Sequence, residues 1–246
     1  MDHLLYIAAS GARETMLAQA ANSHNLANSS TTGFKADMVQ ATSAYLLGQG
    51  VDSRAYTTVA DRGADMTPGP LQSTGRDLDV AISGEGWIAV QAADGSEGLT
   101  RRGDLRVDDF GQLRNGAGQQ LLGNSGPIAL PPYAEMAIGA DGTVSIVPLG
   151  EAPNTLAILD RIKLVNPGNN LLQKGPDGLM RPPRGTETEA DAAVTLVSGS
   201  LESSNVNPVA AMVRMIELSR QFETHIKMMS VAENLDDSSA GLMRLQ

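Results

Sequence analysis

Small and apolar residues at both ends of the chain recur at alternating spacings of four and three. Leu5, Ala9, Ala12, Met16, Gln19, Ser23 and Leu26 keep this rhythm within Asp2 to Phe34, and Met212, Met215, Ser219, Phe222, Ile226 and Met229 keep it from Asn207 to about Leu235. The spacing predicts a heptad seam on each of two long helices. Two such helices at opposite ends of one chain find their simplest cover in each other, leaving the middle as a separate body. The first helix carries no Asp, Glu, Lys or Arg from Thr15 to Phe34; Gln19, Asn22, Ser23, His24, Asn25 and Asn28 stand there instead. A helix on the surface of a soluble monomer carries charge on its outer face. This one is therefore expected to pack on several sides against other helices, the plainer alternative being an amphipathic helix lying on its own domain. It is too polar to cross a bilayer.

The helix is expected to end near Asn28, with Gly33 able to take the positive φ of a turn and Phe34 as an apolar anchor beyond it. Ala36 to Gly50 suggests a short helix around Met38 to Leu47. Val51 to Gly75, rich in Thr, Asp, Gly and Pro, reads as an extended connector with room for one hairpin.

From Arg76 the period changes to two. Leu78, Val80 and Ile82 alternate with Asp77, Asp79 and Ala81, as in a half-buried strand. Asp94-Gly95, Asn115-Gly116, Asp141-Gly142 and Asp177-Gly178 favour tight hairpin turns. Between them lie strand candidates at Trp87 to Gln91, Leu105 to Val107, Gln120 to Leu122, Thr143 to Val147, Leu156 to Val165 and Val194 to Val197, with Gln173 to Asp191 as a polar loop. Short strands between regular turn signals predict an antiparallel all-β body. Asn207-Pro208 is a helix start, Asn as N-cap and Pro at the first helical position, and Asp236 to Ser239 is expected to fray the end. The predicted fold class is α+β: long N- and C-terminal helices paired as a coiled-coil domain, with a central antiparallel all-β domain. The expected boundaries are 1–34, 35–75, 76–200 and 201–246.

Composition narrows the functional classes. The formal charge is −10, and Val51 to Asn207 holds twelve basic against twenty acidic residues. A nucleic-acid partner or an anionic membrane surface is therefore not expected. The absence of cysteine excludes disulfides, thiol catalysis and thiolate metal sites. The N-terminus lacks a basic stretch, and Leu4 to Ala9 is too short for a signal-peptide core, so no cleavable signal peptide is expected.

Candidate chemistry is sparse. Gly84-Glu85-Gly86-Trp87-Ile88-Ala89 fits a dinucleotide fingerprint in spelling, but a strand and a turn follow it where that site needs a helix. All three histidines, His3, His24 and His225, lie in the predicted terminal helices, which leaves the β body without a Ser-His-Asp site. Asp104, Asp108 and Asp109 can be read as a carboxylate cluster. They adjoin Gly103 and Gly111, where Asp serves turns, although a secreted hydrolase using them stays open as an alternative. No cofactor or metal site is expected.

Three separated motifs resemble one family. Asn25-Leu26-Ala27-Asn28 with Thr31-Thr32-Gly33-Phe34-Lys35, the segment Leu78-Asp79-Val80-Ala81-Ile82 with Gly84-Glu85-Gly86-Trp87 and its continuation through Thr100-Arg101, Gly103-Asp104-Leu105 and Leu122-Gly123, and Gly199 to Pro208 resemble, in order, the N-terminal, central and C-terminal motifs of the bacterial flagellar rod and hook protein family. Ser29-Ser30 departs from it, since Val or Ala is frequent there, as does Trp87 in place of Phe. The resemblance implies a structural subunit of a helical tube, with the terminal helices forming its inner layer and the β body outside. It implies contacts with copies of itself and with neighbouring flagellar rod proteins, and unfolded export to the periplasm through the flagellar type III export apparatus. It implies neither enzyme activity nor membrane insertion. The assembly interface is then expected at Leu5, Ala9, Ala12, Met16, Gln19, Ser23, Leu26, Asn25, Asn28 and Phe34, and at Met212, Met215, Ile216, Phe222, Ile226 and Met229.

Overall fold

A computed structural model describes residues 2–45, 55–151, 155–168, 172–183, 186 and 188–243. The chain order is α1 (Asp2–Ala27), β1 (Asp37–Tyr45), β2 (Ala55–Ala64), β3 (Leu71–Ser73), β4 (Val80–Ser83), β5 (Trp87–Gln91), β6 (Glu97–Thr100), β7 (Leu105–Val107), β8 (Leu113–Asn115) and β9 (Gln120–Leu121). Then follow β10 (Tyr133–Ile138), β11 (Thr143–Pro148), β12 (Ala157–Arg161), β13 (Leu164–Val165), β14 (Gln173–Lys174), β15 (Met180–Arg181), β16 (Thr195–Ser198), β17 (Ser200–Glu202) and α2 (Pro208–Met243). These elements make two units. One holds 1–29, 37–65 and 206–246; the other holds 30–36 and 66–205.

In the first unit α1 and α2 pack along each other, and the antiparallel hairpin β1–β2 packs on α1. The pairing runs antiparallel: the Asn22 side chain donates to the Ala211 carbonyl, while Gly11 lies against the His225 ring. The Asn207 side chain accepts from the Val209 and Ala210 amides, an N-cap that satisfies two orphan donors of α2. Helical backbone continues through Asp236–Ser239, where fraying was expected.

The coiled-coil part of the expected fold is not found. A coiled coil turns its large apolar residues inward at the seam of both helices. Here the buried positions of α1 are Ala8, Ala12, Glu14 and Thr15, and the most buried positions of α2 are Ala211, Leu218 and Ala232. Of the predicted seam, Leu5 is 41% exposed, Met16 58% and Met212 54%. In Leu4-Leu5-Tyr6-Ile7-Ala8-Ala9 neighbouring positions are equally apolar, so spacing cannot select the face. The helices form a close pair through small side chains, inside a unit that also contains a β-hairpin. β1, Asp37–Tyr45, takes in Met38 to Tyr45 of the expected short helix as a strand: pairing with β2 outweighs local propensity. Residues 46 and 47 of that expectation lie outside the described residues.

The second unit is the β body. Its largest sheet runs β14-β15-β6-β5-β9-β8-β7, with β13 also on β5; β10-β11-β12 form a second sheet, and the ribbons β3–β17 and β4–β16 complete the body. All described pairings are antiparallel. Val80, Ile88, Val90, Leu105, Leu113, Leu121, Ile146, Ile162 and Leu164 belong to one buried cluster. β5 is buried on both faces, so Ile88 and Val90 join that cluster while Trp87 points to the opposite side.

Core and tip should respond differently to truncation. Leu113→Ala is expected to cost about 2–5 kcal/mol through the cavity it leaves. Phe110→Ala, at a residue 86% exposed, is expected to cost less than about 0.5 kcal/mol. Urea unfolding of the two variants measures both.

Candidate assembly surface and the buried ionic cluster

The residues expected at an assembly interface divide between two faces of the helix pair. Ala12 is buried, and Gln19, Asn25, Leu26, Asn28, Met215, Phe222 and Met229 are half-buried. Leu5, Ala9, Met16, Ser23, Met212, Ile216 and Ile226 are exposed, with Ile216 at 57%. Tyr6, Ile7, Val209, Val213 and Val231 widen the exposed apolar surface. The Asn side chains serve the unit itself. Asn25 donates to the Asp37 carbonyl and accepts from the Asp37 amide at 2.7 Å, fixing where β1 begins. Asn28 donates back to the His24 carbonyl, and His24 pairs with Asp37.

In the β body the family-like motifs meet at one carboxylate. Glu202, 1% exposed, accepts from Lys35 Nζ at 2.8 Å and from the Gly69 amide at 3.0 Å on one oxygen, and from Arg101 Nη1 at 2.9 Å on the other. Lys35 also donates to the Thr67 carbonyl, and Arg101 to the Gly84 carbonyl. The Arg101 guanidinium lies 5.4 Å from the centre of the Trp87 ring. Segment 30–36 is tied in by its backbone as well: the Gly33 amide donates to the Glu202 carbonyl, the Asn205 amide to the Phe34 carbonyl, and the Ala36 amide to the Asn205 side chain. Lys174 caps Phe34, its ammonium 4.0 Å from the ring centre, and donates to the Lys35 carbonyl. Gly33 has φ of 67°, and a Cβ there would sit 2.5 Å from the Arg101 backbone. A Cβ on Gly69 would lie 1.9 Å from the Ser203 carbonyl oxygen. Sequence reasoning missed Lys35, Arg101 and Glu202 as a unit; the available signal was that each lies within or beside a motif whose other residues had structural readings.

The carboxylate cluster does turn work. Asp104 makes a two-pronged pair with Arg102. Asp108 accepts from the Phe110 and Gln112 amides and from Arg114 at the β7–β8 turn. Asp109 is exposed beside it. Among the described residues no group of three His, Asp or Glu side chains is placed to hold a metal ion. The Gly84-Glu85-Gly86 segment leads into β5, a strand.

Two expectations follow from this geometry. Gly33→Ala should destabilise the body by more than about 1 kcal/mol, because the side chain meets backbone in a left-handed conformation; urea unfolding measures it. The Gln112 amide foremost holds the Asp108 carboxyl below its ordinary 3.8, and the Ser96 hydroxyl, the Thr143 hydroxyl and Arg181 do the same for Asp94, Asp141 and Asp177. With folded values depressed, these groups contribute stability above the unfolded value and lose it as pH falls through the folded values. The unfolding midpoint should therefore hold from neutral pH to about 5 and drop below about 4; a midpoint unchanged at pH 3 contradicts this.

Comparison with known proteins agrees with the geometry. Residues 197–242 match the family described as flagellar basal body rod FlgEFG protein C-terminal, and residues 81–146 match the FlgE/F/G D1 domain of the flagellar hook protein. The chain is 43% identical over 245 residues to the flagellar basal-body rod protein FlgF of Escherichia coli K12, covering 97% of this chain and 96% of that one. It is 44% identical to FlgF of Salmonella typhimurium LT2, over 95% of this chain and 96% of that one. It is 31% identical to the rod protein FlgG of Bacillus subtilis 168, over 90% and 91%. With such identity along nearly its whole length, the chain belongs to the FlgF-like family of flagellar basal-body rod proteins and is a structural subunit of that rod.

Proposed function

We propose that the exposed apolar faces of α1 and α2 are the surfaces through which this subunit joins copies of itself and neighbouring rod proteins. The observation that carries the reading is the set of large apolar side chains left in water: Leu5, Tyr6 and Met16 on α1, and Met212, Val213, Ile216 and Ile226 on α2. Exposed apolar surface on this scale marks a site of association. Contacts between unlike faces that do not close into a ring build a helical array, the form required of a drive shaft enclosing an export channel. The subunit acts without an active site; Asp104 is engaged by Arg102, and Asp108 by the Phe110 and Gln112 amides and Arg114. It reaches the periplasm unfolded through the flagellar type III export apparatus. The proximal rod is the favoured position, the distal rod the alternative. No described helix is long and apolar enough to cross a membrane.

Met212→Asp combined with Ile216→Asp tests the reading, because both side chains are exposed and neither supports the helix pair. The expected outcome is a folded, exported subunit missing from purified basal bodies, in non-motile cells. Normal incorporation would overturn the proposed surface. Asp108→Ala should leave swimming intact; an exported, folded Asp108→Ala protein without motility would favour the hydrolase alternative.

A further inference from the structure

The first two strands of the β body find their partners only near its end. β3 pairs with β17, placing Leu71 opposite Glu202, and β4 pairs with β16, placing Val80 opposite Ser198. The same late segment carries the Glu202 carboxylate, which binds groups 167, 133 and 101 positions earlier in the chain. Lys35 and Arg101 are 2% and 4% exposed, and each donates to one oxygen of that carboxylate. The fold thus holds two like charges close together in a dry interior, and the negative charge between them is the last of the three to be synthesised. Without it, drawing the two cations together costs both desolvation and repulsion. The loops to be closed are also long, which slows closure.

We propose that arrival of residues 195–205, with Glu202 as the decisive charge, is the event that folds the β body. A chain released N-terminus first stays unfolded until that segment is free, so the body remains threadable through almost all of its length. The timing is set by the position of one carboxylate in the sequence, independently of how the finished subunit assembles.

The single tryptophan reports the event, because Trp87 is 1% exposed and lies against Arg101. Full-length protein is refolded from urea and followed by Trp87 fluorescence and by pulsed hydrogen exchange. The Leu113, Leu122 and Ile128 amides are bonded within the central part of the body; those of Leu196, Gly199 and Ser203, in the closing segment, donate to the Ala140, Asp79 and Pro70 carbonyls. All six are expected to gain protection in one phase, together with the fluorescence change. Earlier protection of Leu113, Leu122 and Ile128 would overturn the proposal. Glu202→Gln is expected to slow the common phase by about tenfold or more, and adding Lys35→Met and Arg101→Met to recover most of that loss, since the unbalanced cations go with them. Equal slowing in the triple variant would remove the role given to charge.

Discussion

A single buried carboxylate ties the β body together. Glu202 receives an ammonium, a guanidinium and a backbone amide, while its own carbonyl receives the Gly33 amide. A buried ion is tolerated only when its partners are fixed in place, and each partner here is fixed by something else. Arg101 is held by the Gly84 carbonyl and the Trp87 ring, Lys35 by the Thr67 carbonyl. Close approach is permitted by glycine at Gly33 and Gly69, where a methyl group would meet backbone. Segment 30–36 therefore belongs to the β body, although the residues on either side of it belong to the helical unit.

The helical unit follows a different logic. Its inner face is mostly alanine, glycine and threonine, with Leu218 as the large buried side chain, so the two helices approach closely. Dispersion and burial at such a seam are modest per residue. Leu5, Tyr6, Met16, Met212 and Ile216, larger apolar side chains that could have stabilised the pair, point outward instead. An isolated subunit gains little from that arrangement, and the proposed association surface is built from those outward side chains. Asp, Glu, Lys and Arg are missing from α1 after Glu14.

The aspartates of the β body show how residues that look chemical can be local scaffolding. Asp108 organises one turn through two amides and Arg114, and Asp94, Asp141 and Asp177 cap others with a hydroxyl, an amide or Arg181. Their charge is useful only while ionised, which ties the stability of the body to pH. Asp104, engaged two ways by Arg102, has its lone pairs largely committed.

Much of this was legible in the amino-acid sequence because it depends on local rules. The Asn207-Pro208 helix start, the end of α1, the span of β5 and the turn at Gly33 follow from capping, periodicity and glycine's freedom at positive φ. The family was legible too, from three motifs in order. The inward face of each helix was not, since in a run such as Leu4 to Ala9 every face is equally apolar and only the partner selects among them. Nor was β1, whose strand conformation depends on β2, or the ribbons β3–β17 and β4–β16, which join residues more than a hundred positions apart. The Lys35–Glu202–Arg101 cluster belongs to this second class: its three charges carry no periodicity, and only the tertiary fold brings them within hydrogen-bond distance, where burial makes their pairing obligatory.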